Sequence, residues 1–167
     1  MDRPSDIGKK FEGKKVTPQL RKYSRRSKVR FIRLYDGFTT SGRSRIPPQP
    51  SDYILVVPGG ESYFVEFKYL SKGTKFLISI LSPEQRGAYE ESIEFPYNYI
   101  ILIYCEEVHE FFALPSYAIN NVRGGKKRCS IDMVETFRKF KVKKISEFVS
   151  QLLRGTYSVV IENGHSI

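Results

Sequence analysis

Three residues stand out in this chain of 167 for what their side chains could do together: Asp52, Glu66 and Lys68. Residues 52–57 read as a buried strand, 58–61 as a turn and 62–70 as a second strand. Side chains alternate along a strand, so Glu66 and Lys68 share one face while Val65 and Phe67 share the other. A hairpin over these strands brings Asp52, at the start of the first, alongside Glu66 and Lys68. Two converging carboxylates need a counter-charge, and a hard divalent cation such as Mg²⁺, with its oxygen ligands, supplies it. The ammonium of Lys68 can then hold a water or hydroxide, or neutralise charge developing on a phosphate. Asp at a strand start and a Glu-x-Lys pair also occur on solvated strands with no chemistry. The apolar flanks decide between the two, because charged residues in a central strand are seldom buried without partners.

The charge pattern points to a polyanion. Residues 1–45 hold 14 Lys and Arg against 4 Asp and Glu, whereas residues 46–122 hold 4 against 10. Residues 123–154 return to 10 against 3. Two basic segments thus bracket an acidic centre that contains Asp52 and Glu66, as expected where flanks grip a phosphate backbone and the centre collects metal. The candidate contacts are Lys9, Lys10, Lys14, Lys15, Arg25 and Arg26 in the first segment. Arg43 and Arg45 follow in a loop, Lys72 and Lys75 in a tight basic turn, and Lys126, Lys127 and Arg128 in a Gly-rich basic stretch. Guanidinium groups match phosphate geometry, which favours DNA contact over a solvated connector for Arg43 and Arg45.

The elements that must position these residues can be read in order. A first helix carries Ile7 and Phe11 one turn apart, with Gly8 and Glu12 at the same spacing, so the glycine admits a close approach. Thr17-Pro18 suits a helix start, and a second helix or a kinked continuation runs to about Arg26. Residues 29–35 read as a strand and 36–49, rich in Gly, Ser, Thr and Pro, as a loop. Ser82-Pro83 begins a helix running to about Ser92, with Gln85 in its first turn. The apolar run 97–104 fits a strand buried on both faces, with 109–114 as its partner and a short helix from Pro115. Residues 142–153 form an amphipathic helix with Ile145, Phe148, Val149 and Leu152 at helical spacing. His109 has no serine or cysteine constellation and reads as structural.

The spacing of these motifs resembles the PD-(D/E)xK nuclease superfamily, and within it the Holliday-junction resolvases of the RecU and phage type. The resemblance covers roughly residues 5–115 and rests on Gly8-Lys9-Lys10-Phe11-Glu12, Asp52, Glu66-x-Lys68 and Ser82-Pro83-Glu84-Gln85. It implies an α/β or α+β fold with a restriction-endonuclease-like core, a mixed central β-sheet flanked by helices. It implies metal ligands at Asp52, Glu66 and Glu12, a catalytic lysine at Lys68 and a glutamine beside the site at Gln85. It further implies Mg²⁺, with Mn²⁺ able to substitute, and hydrolysis of four-way DNA junctions. Paired nicks on such a junction call for a two-fold homodimer, expected to meet through the N-terminal helix and the aromatic-rich strands.

Length and 40% hydrophobic content fit one nuclease domain over 1–155 with a C-terminal tail over 156–167. No apolar run approaches the ~20 residues of a membrane span, and the N-terminus lacks the apolar core of a secretion signal. Two cysteines without metal-ligand spacing fit a reducing, cytoplasmic setting, in a bacterium or a phage-infected host given the resemblance. Two other readings stand beside the resolvase: a restriction- or repair-type endonuclease on duplex DNA with the same core, and a non-catalytic nucleic-acid-binding module.

Overall fold

In the computed structural model, the residues described are 4–34, 37–38, 45–46, 49–95, 97–124, 126 and 130–158. The chain begins with helix α1 (Pro4–Phe11), a π-helical turn (Glu12–Val16) and α2 (Thr17–Arg26). Pro18 has no N–H to donate to the carbonyl four residues back, and the Thr17 N–H instead reaches the Glu12 carbonyl, five residues back. That wide turn places Glu12 where α1 meets α2. Strands β1 (Arg30–Arg33), β2 (Gly37–Phe38), β3 (Arg45–Ile46), β4 (Tyr53–Val56), β5 (Ser62–Leu70) and β6 (Lys75–Leu77) follow. Then come α3 (Pro83–Glu94), β7 (Asn98–Cys105), β8 (Glu110–Pro115), α4 (Ser116–Arg123), β9 (Ser130–Asp132), α5 (Met133–Thr136), β10 (Lys141–Val142) and α6 (Ile145–Leu153).

Six strands form one mixed sheet in the order β1-β4-β5-β7-β8-β10. β4 and β5 make an antiparallel hairpin whose turn needs glycine, since Gly59 and Gly60 have φ of 103° and 93°. β5 then pairs in parallel with β7, a connection that requires a crossover, and α3 lies within it. β5 and β7 are therefore central strands, and the run from Tyr99 to Ile103 is almost wholly buried.

Helices cover both faces of the sheet. Phe11 of α1 stacks on Phe67, with ring centroids 6.2 Å apart, and on Tyr104 at 4.4 Å. Gly8 lies so close to β5 that an added Cβ would sit 3.3 Å from that of Tyr69, so the glycine serves strand approach. α3 lies on the opposite face, where the polar side chains of Glu66 and Lys68 point. The aromatic face of β5, β7 and β8 is thus packed by Phe11 from the same chain, with Tyr69 and Tyr104 half-buried beside it.

Three boundaries also differ from the sequence reading. The strand expected at 29–35 is Arg30–Arg33, because Lys28, at φ 58°, and Val29 turn the chain out of α2. The segment expected to be loop contains the short antiparallel pair β2–β3. The division at residue 155 cuts through packed structure: Tyr157 is fully buried, 5.7 Å from the ring of Phe148, and Ser158 bonds the hydroxyl of Tyr63 at 2.8 Å. The helix expected over 142–153 is present as Ile145–Leu153, and its four apolar residues belong to the core. Among the described residues, no helix is long and apolar enough to cross a membrane.

Phe11 joins α1 to three strands and sets the height of the adjoining Glu12 above the sheet. Phe11→Ala removes these ring contacts and is expected to cost about 2–4 kcal/mol in urea unfolding. A loss below about 1 kcal/mol would show that α1 docks without it.

Candidate active site

The hairpin register creates the centre. Tyr53 pairs with Val65, so Asp52, one residue earlier, lies opposite Glu66. Asp52 is fixed from several sides: its Oδ2 accepts the Phe67 N–H at 2.7 Å, and its carbonyl accepts the Leu34 N–H at 2.9 Å. The preceding turn is tied down by the Tyr99 hydroxyl, which donates to the Pro50 carbonyl at 2.8 Å. Glu66 is 1% exposed. Its Oε1 accepts from Lys68 Nζ at 2.8 Å and from Gln85 Nε2 at 2.6 Å.

Gln85 carries two duties. Ser82 caps α3, and Gln85, three residues on, completes a capping box by accepting the Ser82 N–H on Oε1 at 2.9 Å. The same Oε1 accepts from Lys68 Nζ at 2.8 Å. With two donors on its oxygen, the amide must aim its nitrogen at Glu66. The local rule that starts the helix therefore also holds Lys68 and Glu66 in register.

Burial governs the electrostatics. The Glu66 carboxyl is pushed up to about 8, first by desolvation and then by the charge of Asp52, against the opposing pull of Lys68. Asp52 is raised to about 6, chiefly by desolvation and then by Glu12, although the Phe67 N–H favours its charged form. Two carboxylates facing each other offer only acceptors, so they must share a proton or hold a cation. Glu66 Oε2 is buried and has no hydrogen-bond partner. An orphaned carboxylate oxygen beside a second carboxylate is a donor set that fits a hard divalent ion.

The third carboxylate stands differently. Glu12 Oε1 accepts from the Tyr53 hydroxyl at 2.5 Å and from Arg33 Nη2 at 3.1 Å, and Thr17 bonds the same hydroxyl at 2.9 Å. Among the described residues, no three His, Cys, Asp or Glu side chains are gathered as a ready ligand set. The structure thus brings together Asp52, Glu66, Lys68 and Gln85, with Glu12 near enough to raise Asp52 but engaged by Tyr53 and Arg33. Sequence reasoning missed Arg33, Tyr53 and Tyr99. Strand alternation put Tyr53 on the face opposite Asp52, but only the helix packed there shows what its hydroxyl meets.

The expected DNA contacts are scattered. Lys9, Lys10, Lys14 and Lys15 are exposed around the π-helical turn beside Glu12, and Arg25 and Arg26 are exposed on α2. Lys72 and Lys75 are exposed at the turn into β6, and Lys126 is exposed after α4. Arg43, Lys127 and Arg128 lie outside the described residues, and of Arg45 only its place in β3 is described. Arg123, at the head of the basic stretch, is 9% exposed; its Nε donates to the Lys126 carbonyl and its Nη1 lies 3.9 Å from Glu90 Oε1.

The architecture has a counterpart among solved structures. The structure is similar to Hjc of Archaeoglobus fulgidus, a Holliday junction resolvase from an archaeal hyperthermophile. The TM-score is 0.52 at 17% identity, over 84% of this chain and 98% of that chain. No protein-family model and no curated protein sequence matches the chain.

The raised carboxylates fix a pH dependence. Without metal, the folded state holds protons on Glu66 and Asp52 that the unfolded chain has released, between about pH 4 and pH 8. This stabilisation is full below the unfolded carboxyl range and is lost as pH rises through that window. Glu66→Gln, which needs no proton to face Asp52, should therefore melt higher than the parent at pH 8.5 in EDTA. The gap should narrow or reverse at pH 4.5, and equal melting temperatures at both pH values would refute the buried acidic pair.

Proposed function

We propose that this chain is a divalent-metal-dependent endodeoxyribonuclease that hydrolyses phosphodiesters at four-way DNA junctions. One observation carries the reading: Asp52 and Glu66 face each other in the buried hairpin, with a carboxylate oxygen unsatisfied and Lys68 held alongside by Gln85. The fold shared with a Holliday junction resolvase supports the choice of DNA as substrate and of the junction as the form of DNA.

In this reading Asp52 and Glu66 hold Mg²⁺, with Mn²⁺ as a substitute, and Glu12 contributes after leaving Tyr53 and Arg33. A bound divalent ion lowers the pKa of water and offsets negative charge developing on phosphate. The chain's own part is positional. Asp52 is fixed by the Phe67 N–H, Glu66 by Lys68 and Gln85, so little reorganisation is left for the reaction. Lys68, 20% exposed at the edge of the site, is placed to orient the attacking water or to meet the phosphate. The family resembled in sequence implies a 5′-phosphate product and paired nicks from a two-fold homodimer.

Single-turnover cleavage of a four-way junction and of a linear duplex of the same sequence tests the reading. Asp52→Asn and Glu66→Gln should abolish Mg²⁺-dependent cleavage while keeping DNA binding, since each removes a metal ligand and a repulsion toward phosphate. Lys68→Ala should slow chemistry on the order of 10²-fold, the scale of losing one preorganised group. Equal rates on junction and duplex would turn the reading to a duplex endonuclease. Binding without any Mg²⁺-dependent cleavage would leave a nucleic-acid-binding module.

Metal occupancy has its own readout. Mg²⁺ must displace protons from the pair, so it should raise the melting temperature more at pH 8.5 than at pH 6. Asp52→Asn should remove that increment. An increment independent of pH, or kept in the variant, would place the ion elsewhere.

A further inference from the structure

A groove on the outer edge of the sheet extends from the surroundings of Glu12, sharing Thr17 and Arg33 with them. It is lined by Arg21, Lys22, Arg25 and Arg26 from α2 and by Arg30 and Arg33 from β1, and it encloses about 650 Å³ in its larger section. Its floor includes Gly13, Thr17 and Pro18, so its inner end reaches the turn that carries Glu12. Arg33 stands at that end, bonded to Glu12.

Such a helix is unfavourable by itself. α2 carries Arg21, Lys22, Arg25 and Arg26 and no acidic residue, and these fall as two like-charge pairs at four-residue spacing, Arg21 with Arg25 and Lys22 with Arg26. Each like pair on one helix face opposes helix formation by about 0.2–0.5 kcal/mol, although the C-terminal pair gains something from the helix dipole. Among the described residues, no carboxylate pairs with Arg21, Arg25 or Arg30. Two of them lie against aromatic rings: the Arg21 guanidinium is 5.8 Å over the Phe31 ring and that of Arg26 is 5.9 Å over Tyr23. Arg21 and Arg25, one helical turn apart and without a carboxylate partner, together with Arg30 offer a receptor for a chain of phosphates.

We propose that the α2–β1 groove is the track for the sugar-phosphate backbone of a duplex DNA arm, ending beside the turn that carries Glu12. The assignment rests on the nuclease reading and deepens it. Phe31 lies beneath Arg21 and packs against Tyr53 at 5.6 Å, so the groove offers no open aromatic ring on which a base could stack. It therefore reads phosphate and not base or branch. The groove supplies affinity for any duplex arm, and selection of the junction belongs to other surfaces.

The test is equilibrium binding by fluorescence anisotropy, in EDTA, over a series of salt concentrations, with a four-way junction and a linear duplex as probes. The variants are the triple change Arg21→Gln/Arg25→Gln/Arg30→Gln and the single change Arg25→Gln. A control, Arg138→Gln/Lys139→Gln, removes exposed charge just before β10, at the opposite edge of the six-stranded sheet. Each lost phosphate contact should flatten the dependence of log affinity on log salt by about one. The triple variant should lose about tenfold or more in affinity for both probes and flatten the slope by about two or more. Its junction-to-duplex ratio should stay unchanged, and the control should bind close to the parent. Arg25→Gln, on an exposed helix position, should flatten the slope by about one and keeps the test decisive if the triple variant melts early. An unchanged slope in a parent that binds and cleaves DNA would overturn the groove and leave the nuclease reading intact. So would losses that the control matches, or losses confined to the junction. A parent that neither binds nor cuts DNA would overturn both.

Discussion

The structure is organised around the confrontation of Asp52 with Glu66. Two carboxylates in a nearly dry setting repel each other and lose hydration, so the chain holds a locally unfavourable arrangement. It can do so because β4–β5 is clamped between β1 and the parallel strand β7, with apolar packing on both faces. The strand register, more than any single bond, forces the two groups together. Strain of this kind persists only where the surroundings over-determine it, and it is the usual form of a preorganised site.

The supports around that pair economise on parts. Gln85 caps α3 and orients Glu66 and Lys68 with one side chain. Tyr53 closes the first pair of the hairpin and holds Glu12. Tyr99 lies in the central strand and pins the turn before Asp52. Each of these groups thus belongs to the fold and to the site at once. On the far side, Phe11 and the π-helical turn bring Glu12 into the electrostatic field of Asp52 while Arg33 balances it.

Charge is arranged to match. The acidic centre is buried in the sheet, and exposed arginines and lysines of α1, α2 and β1 lie around the turn that carries Glu12 and along the sheet edge at β1. On the proposed reading a polyanion would be attracted by these basic groups, and a cation would be needed where it met the carboxylates. The aromatic face of β5, β7 and β8 is packed by Phe11 of α1.

By itself the sequence determined the local pieces. Period-two alternation at 62–70, the Pro-Gly-Gly turn and the Ser-Pro helix start are rules of neighbouring residues, and each element formed within a few positions of where those rules put it. The same locality made Asp52, Glu66 and Lys68 legible, because one hairpin contains all three. What the sequence could not contain was contact between distant segments. That Glu12 is occupied by Arg33 and Tyr53, that Arg123 reaches Glu90 of α3, and that Tyr157 is core all depend on packing. So does the groove, where Arg21 and Arg30 come from a helix and an edge strand. Hydrophobic pattern and turn chemistry act over a few residues, whereas burial and electrostatic pairing are settled only when the sheet and its helices close on one another.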